Sequence, residues 1–373
     1  MALTFITEPS SPTPAYNDSW FVVSSNQTGQ TGFKYVVTAT VGSTTKTWNI
    51  APAPDGKLYF NVRDYVINFI QRAVDFDSVS VQLITNKIIT ASIDFKEYYS
   101  GTVQSTVNKS KKFWDACYYN ELFDAYDYTT WFDEQVQNFW NADNRVTLNQ
   151  PVWLHFSEYN WDTIEVFYNT VSLGNPTNPS PYDDKKIYAL NIGSELITAL
   201  GETPAIGGVV DIALNYDGNP YETISYTIQN ICSKYPIKTI YFLKRNGQIA
   251  FKHFELVSSK SLDKVTNTVR QSRGVTYDTW DREKFITSTQ TTKQVVLNSN
   301  WITESQSDAL QELFDSPVVW LLEQSNLYRQ GYAYYPVSIT DKNYNVKTHK
   351  VDKAFNYTIT CEYDIKETRQ RGI

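Results

Sequence analysis

Phe355-Asn-Tyr-Thr-Ile-Thr-Cys-Glu-Tyr-Asp-Ile365 places an apolar side chain at every second position along eleven residues. Phe355, Tyr357, Ile359, Cys361, Tyr363 and Ile365 fall on one side, and Asn356, Thr358, Thr360, Glu362 and Asp364 on the other. Successive side chains of a strand point to opposite faces, so this period of two predicts one antiparallel strand with a buried and a wet face. The same period recurs near the other end of the chain. Phe33, Tyr35, Val37, Ala39 and Val41 alternate with Lys34, Thr38 and Thr40, and Trp48–Ile50 is the expected partner strand across Gly42-Ser43.

Working outward, the pattern stays mainly β. Trp20–Val23, Val79–Ile84 and Ile88–Phe95 read as strands, and 51–56 as a Pro/Gly loop. Val62, Val66, Phe69 and Ile70 have helical spacing, so 62–72 is expected to be one short helix. Val152, Leu154 and Phe156 alternate, Thr163–Tyr168 and Ser225–Ile231 are strand-like, and Asp217-Gly218 marks a hairpin tip. Ile237–Leu243 and Ile249–Phe254 flank Arg245-Asn-Gly-Gln248, a second hairpin signal. Thr303-Glu-Ser-Gln306 is a capping box ahead of Ala309, Leu310, Leu313 and Phe314, and Pro317 ends that helix. Val318–Leu322 and Val337–Thr340 are further strands. A single core stops growing at about 250–300 residues. With 373 residues two or three domains are therefore expected, and the pattern along the chain gives three domains and a connecting segment. These are an immunoglobulin-like β-sandwich over 1–100, an aromatic and acidic connecting segment over 101–150, a second β-sandwich over 151–257, and an α+β domain over 258–373.

Composition separates structural roles from chemical ones. The chain has 27 Tyr, 19 Phe and 10 Trp but three His, three Cys and one Met. Aromatic residues build sheets and interfaces, whereas His and Cys are the usual carriers of acid–base, nucleophilic and metal chemistry. His155, His253 and His349 stand in no metal-ligand spacing, and neither a GxSxG nor a Cys–His motif is present. No catalytic residue, cofactor site or metal site is assigned. Cys117, Cys232 and Cys361 are read as buried thiols. Met1–Glu8 lacks the pattern of a signal peptide, and no stretch approaches the ~20 apolar residues of a membrane helix. Folding in a reducing cytoplasm without membrane insertion is expected.

Charge is uneven. The net charge of −7 disfavours nucleic acid as the main partner, and no direct nucleic-acid sequence readout is expected. Residues 101–200 hold 6 Lys and Arg against 13 Asp and Glu, while 201–300 hold 12 against 9. Such asymmetry either orients one copy against the next or reflects two solvated faces.

Residues 113–140 concentrate rings and acids. Phe113, Trp114, Tyr118, Tyr119, Phe123, Tyr126, Tyr128, Trp131, Phe132, Phe139 and Trp140 sit among Asp115, Glu121, Asp124, Asp127, Asp133 and Glu134, with no Lys or Arg. Either this strip is an interdomain connection threaded through a core, or it presents an interface. The candidate interface residues are Trp114, Tyr118, Tyr119, Phe123, Tyr126, Trp131, Phe132 and Trp140, with Asp124 and Asp127. Arg369 and Arg371 join them from a tail expected to leave the sheet and reach an acidic surface.

Both ends of the chain carry a family resemblance. Phe5-Ile-Thr-Glu-Pro-Ser10, Phe21-Val-Val-Ser-Ser-Asn26, Pro52-Ala-Pro-Asp-Gly56 and Asn61-Val-Arg-Asp-Tyr-Val66 resemble the N-terminal domain of virion proteins from phages of Bacteroidota, of which the crAss-like phages are the best-known group. Ile240-Tyr-Phe-Leu-Lys-Arg-Asn-Gly247 is similar to a hairpin of the same proteins, with Lys244 and Asn246 where that family has Asn and Phe. Leu297–Glu304, Leu310–Pro317 and Pro336–Tyr344 are similar too. The resemblance covers about 1–70 and 237–373 and rests on packing motifs, so it transfers no catalytic residue. It implies a structural protein of the virion tail, in a six- or twelve-fold homo-oligomeric ring or collar between portal and distal tail. Its partners would be other copies of itself and other tail or portal proteins, assembled in the host bacterial cytoplasm. Two other readings stand beside it. Exposed Trp and Tyr suit a carbohydrate-binding surface or baseplate adhesin, and acidic pairs such as Asp124 and Asp127 suit a glycosidase.

Overall fold

The computed structural model describes residues 3–71, 78–84, 87–118, 145–148, 150–157, 163–176, 187–216, 219–230, 234–270, 276, 278, 283–324, 332–341, 354–365 and 367–368. It is mainly β and divides into two compact units. The first takes 1–140, 145–230 and 245–248, and the second takes 141–144, 231–244 and 249–373.

In the first unit, β1 (Thr4–Thr7), β3 (Trp20–Ser24) and β6 (Lys57–Asn61) form one sheet. β2 (Thr13–Pro14), β4 (Lys34–Val41), β5 (Thr44–Ile50), β8 (Ile88–Tyr99) and β9 (Thr102–Trp114) form another, in the order β2-β9-β8-β4-β5. Their inner faces share one core. Phe21, Val23 and Phe60 of the first sheet cluster with Tyr35, Val37, Ile93 and Phe95 of the second. The alternation at 33–41 is borne out, because every second residue of β4 is buried. So is the partner strand, with Val37 opposite Trp48. The domain limit at 100 is corrected: Ser100 and Gly101 are the turn between β8 and β9, whose register pairs Ile88 with Trp114 and Tyr99 with Thr102. Ladder hydrogen bonds hold residues on both sides of that limit in one sheet.

The expected helix over 62–72 is shorter. α1 covers Arg63–Val66, a 3-10 turn follows over Ile67–Phe69, and Ile70 is extended. The Asn68 amide donates to the carbonyls of Asp64 and Tyr65 at 2.6 and 3.3 Å, in place of the backbone N–H groups that would prolong the helix.

Two further sheets complete this unit. β7 (Gln82–Leu83), within the strand expected over 79–84, pairs with β14 (Ile187–Asn191) rather than with a strand of residues 1–100, and β14 also pairs with β11 (Trp153–Ser157). β10 (Arg145–Thr147), β12 (Thr163–Tyr168), β13 (Val171–Gly174), β15 (Val209–Tyr216) and β16 (Asn219–Gln229) form the order β10-β16-β15-β12-β13. The hairpin foreseen at 215–220 is the β15–β16 connection, with Tyr216 opposite Asn219. α2 (Ser194–Ala199) follows β14, and Gly193 precedes it.

The second unit is built on an eight-stranded sheet. Its strands are β17 (Lys238–Leu243), β18 (Ile249–Phe254), β19 (Ser259–Arg270), β20 (Lys284–Asn298), β22 (Val319–Gln324), β23 (Tyr332–Ile339), β25 (Thr358–Tyr363) and β26 (Glu367–Thr368). The order is β18-β17-β22-β23-β25-β20-β19, with β26 paired to β20. β21 (Ile302–Thr303) and β24 (Ala354–Phe355) make a small separate pair. α3 (Glu304–Phe314) starts at the capping box, and its Leu310 and Leu313 join Val295, Leu297, Leu321, Val337 and Cys361 in one core.

Three expectations change here. The hairpin at 237–254 belongs to this sheet rather than to a second sandwich over 151–257, because Tyr241 pairs with Trp320 of β22. The long alternation at 355–365 is split into β24 and β25. At the break, Asn356 Nδ2 donates to the Ser299 carbonyl at 2.7 Å and Tyr357 N–H donates to Ser299 Oγ at 2.9 Å. The buried side still runs through Tyr357, Ile359, Cys361 and Tyr363, but Ile365 is 63% exposed. The tail does not leave the sheet at 366, since Gln290 pairs with Thr368 and Thr291 with Glu367.

Candidate functional site: an open groove on the second sheet

One face of the eight-stranded sheet carries α3. Further along the same strands that face opens into a groove of about 390 Å3. Register explains its lining. Tyr363 is opposite Val337, so Tyr335, two residues along β23, lies beside it on the same face. The two rings meet edge to face at 5.9 Å and 66°. Glu323 is two residues past Leu321, the partner of Tyr335, and so faces the same way. Lys293 and Leu262 are directly opposite each other in β20 and β19. Leu262 and Ile365 stand exposed at the mouth.

The charges in the groove are ordered. Glu323 Oε1 accepts from Lys260 Nζ at 2.6 Å and from Lys238 Nζ at 3.2 Å. Burial works to raise the Glu323 pKa, but the two ammonium groups outweigh it and hold the carboxyl below its ordinary value. Burial, followed by the Glu323 charge, pushes the Tyr363 hydroxyl upward. Tyr363 is 7% exposed, and its hydroxyl finds no partner of hydrogen-bonding geometry among the described groups, although Glu323 lies near. Its nearest acceptor is the Glu323 carboxylate, so the two groups face the groove together. The groove can therefore take an apolar group against Leu262 and Ile365, and negative charge near Lys260 and Lys293.

This site was not among the residues singled out in the sequence. Its parts come from five strands and their ends, and only Tyr363 and Ile365 lay within the alternating stretch. The candidates that were singled out fall elsewhere. Trp114 ends β9 at 1% exposure and is packed inside the first unit, so that ring is removed from any surface. Tyr118 is half-buried; its N–H donates to Asn17 Oδ1 and its carbonyl accepts from Asn17 Nδ2, both at 2.8 Å. Tyr119, Phe123, Asp124, Tyr126, Asp127, Trp131, Phe132, Trp140, Arg369 and Arg371 lie outside the described residues.

The other chemistry-bearing residues are spread apart. Burial pushes the Cys361 thiol up to about 12, with Asp341 adding to the effect. Cys117 is only half-buried, and Cys232 lies outside the described residues. His253 is buried with Nδ1 at 3.0 Å from Thr239 Oγ1. Among the described residues no three His, Cys, Asp or Glu side chains gather where they could hold a metal ion, and no helix is long and apolar enough to cross a membrane. No family model, curated protein or solved structure matches the chain.

Proposed function

We propose that this protein is a non-enzymatic structural subunit of a bacteriophage virion, assembling into a homo-oligomeric tail ring or collar between portal and distal tail. The resemblance at 1–70 and 237–373 supports the phage reading. The observation that carries the assembly reading is strand β19. It is an edge strand of twelve residues, exposed at every position but one, and it carries the exposed aliphatics Leu262, Val265 and Val269. A monomer normally shortens, covers or bends such an edge, because its unpaired N–H and C=O groups template pairing with another chain. Long, and paired on one side only among the described residues, it suits a subunit that finishes its sheet surface only in an assembly. Native mass measurement and micrographs of the purified protein test this. Closed rings are expected. A strict monomer that is absent from purified particles overturns it.

The groove favours a second reading, a carbohydrate-binding adhesin module, because Tyr335, Tyr363 and Lys293 offer ring faces and donors to a sugar. Under that reading a monomer would bind glycans, and Tyr335→Ala would abolish the binding.

A further inference from the structure

The β19–β20 ribbon has two chemically different faces. Residues directly opposite share a face, and faces alternate along each strand. Lys260, Lys264 and Arg270 of β19 therefore lie together, with Lys293 of β20 opposite Leu262 on the same side. A bulge adds a fifth cation. Asn267 pairs with Ser288 but Thr268 pairs with Ile286, so Thr287 is the extra residue. Its hydroxyl donates to the Asn267 carbonyl at 3.1 Å. Past this point the register shifts by one, and Lys284 comes directly opposite Arg270. Without the bulge Lys284 would project from the other side. The only acid of the two strands, Asp263, is on the opposite face.

Like charges facing each other across a strand pair repel. Lys264, Arg270 and Lys284 are exposed, and no carboxylate among the described residues pairs with them. This basic face continues into the groove of Tyr335 and Tyr363. Its complement is written in the same chain: residues 119–140 hold Glu121, Asp124, Asp127, Asp133 and Glu134, no cation, and eight aromatic residues.

We propose that the basic face of the β19–β20 ribbon and the adjoining groove receive the acidic, aromatic strip 119–140 of a second copy of this chain. The inference rests on the assembly reading above and names its contact. The carboxylates of the strip meet Lys264, Arg270 and Lys284 first, since Lys260 is already bonded to Glu323, and the rings of the strip meet Leu262, Ile365 and the tyrosine pair.

A charge swap in the full-length protein tests it. Variant A carries Lys264→Glu, Arg270→Glu and Lys284→Glu. Variant B carries Asp124→Lys, Asp127→Lys and Asp133→Lys. Each alone is expected to self-associate at least about tenfold more weakly than wild type, and an equimolar mixture is expected to recover most of that loss. A synthetic 119–140 peptide is expected to bind wild type and to bind variant A about tenfold more weakly, with affinity falling as salt rises. Wild-type rings together with unimpaired rings of variant A, or a mixture that does not recover, overturn this contact while leaving the assembly reading standing. A monomeric wild type that still binds the peptide through the ribbon overturns the assembly reading and leaves the docking surface. A peptide that binds neither protein, or both equally, overturns the surface itself. Retention of duplex DNA by wild type that is lost in variant A, with self-association unchanged, assigns the ribbon to nucleic acid and also overturns the proposal.

Discussion

At the residue scale, two buried ionisable side chains of the first unit have measurable consequences. His155 is wholly buried in β11, and neither ring nitrogen has a hydrogen-bond partner among the described groups. Burial, and then the positive charge of Lys87, hold its pKa well below the ordinary 6.5. The folded state therefore refuses a proton that the unfolded chain accepts. Stability is full above the unfolded value and declines as pH falls below about 6.5, by up to ~1.4 kcal/mol per pH unit while only the unfolded state is protonated. Denaturant midpoints between pH 8 and pH 5 should show this decline, and His155→Gln should flatten it. An unchanged slope in the variant assigns the acid sensitivity to other groups. Glu97 is the second case. It sits on the core face of β8 opposite Tyr35, fully buried, with no hydrogen-bond partner for either carboxylate oxygen among the described groups. Burying an unpartnered polar group costs about 1–3 kcal/mol, so Glu97→Leu should stabilise the first unit by an amount of that order. Calorimetry of the variant checks it; a lowered melting temperature would mean that the carboxylate has a partner outside the described residues.

At the element scale, β25 and the turn before α2 are the sensitive places. β25 lies between β23 and β20, and Ile359 is opposite Leu297 in the shared core. Ile359→Pro removes a ladder hydrogen bond from a central strand and should cost ~3 kcal/mol or more. Glu362→Lys, on the other face, touches Gln294 Nε2 at 3.3 Å and should shift stability by less than ~1 kcal/mol. Urea midpoints of the two variants compare the faces directly, and equal losses would mean that both are core. Before α2, Asn191 Oδ1 accepts from the N–H groups of Val152 and Gly193 at 3.0 and 3.1 Å. A Cβ on Gly193 would press into the Gln150 carbonyl, a backbone atom that cannot move aside freely. Gly193→Ala should therefore cost about 1–3 kcal/mol, measurable by the same urea titration. Elements such as β4, β12 and α3 were legible because their period or cap is local. The split of 355–365 was not, because Ser299, which holds the break, is more than fifty residues away in sequence.

At the scale of the whole molecule, the exposed ribbon is separable from the cores. Removing 266–289 and joining Val265 to Gln290, which already face each other, through an Asn-Gly turn keeps the base of the hairpin. The second unit should keep its melting temperature within about 4 °C, a shift equivalent to roughly 1 kcal/mol, while self-association is lost. Scanning calorimetry with sedimentation analysis reads both quantities. A large drop in melting temperature makes the ribbon a structural part of the unit, and unchanged association removes it from the interface.

The sequence by itself determined the β character, the individual strands whose side chains alternate, the hairpins at 215–220 and 237–254, and the helix behind its capping box. Each depends on residues within about ten positions of one another, where period and turn chemistry act. The tertiary structure decided which strands share a sheet. It carried β8 across the limit at 100 into β9, gave the hairpin at 237–254 to β22, and returned the tail to β20. It also decided where the groove lies, since Tyr335, Tyr363, Glu323 and Lys293 become neighbours only through ladder register. A strand's own pattern says which of its faces is buried. It does not say which partner strand supplies the hydrogen bonds, and a single bulge residue, Thr287, was enough to move Lys284 to the face it now occupies.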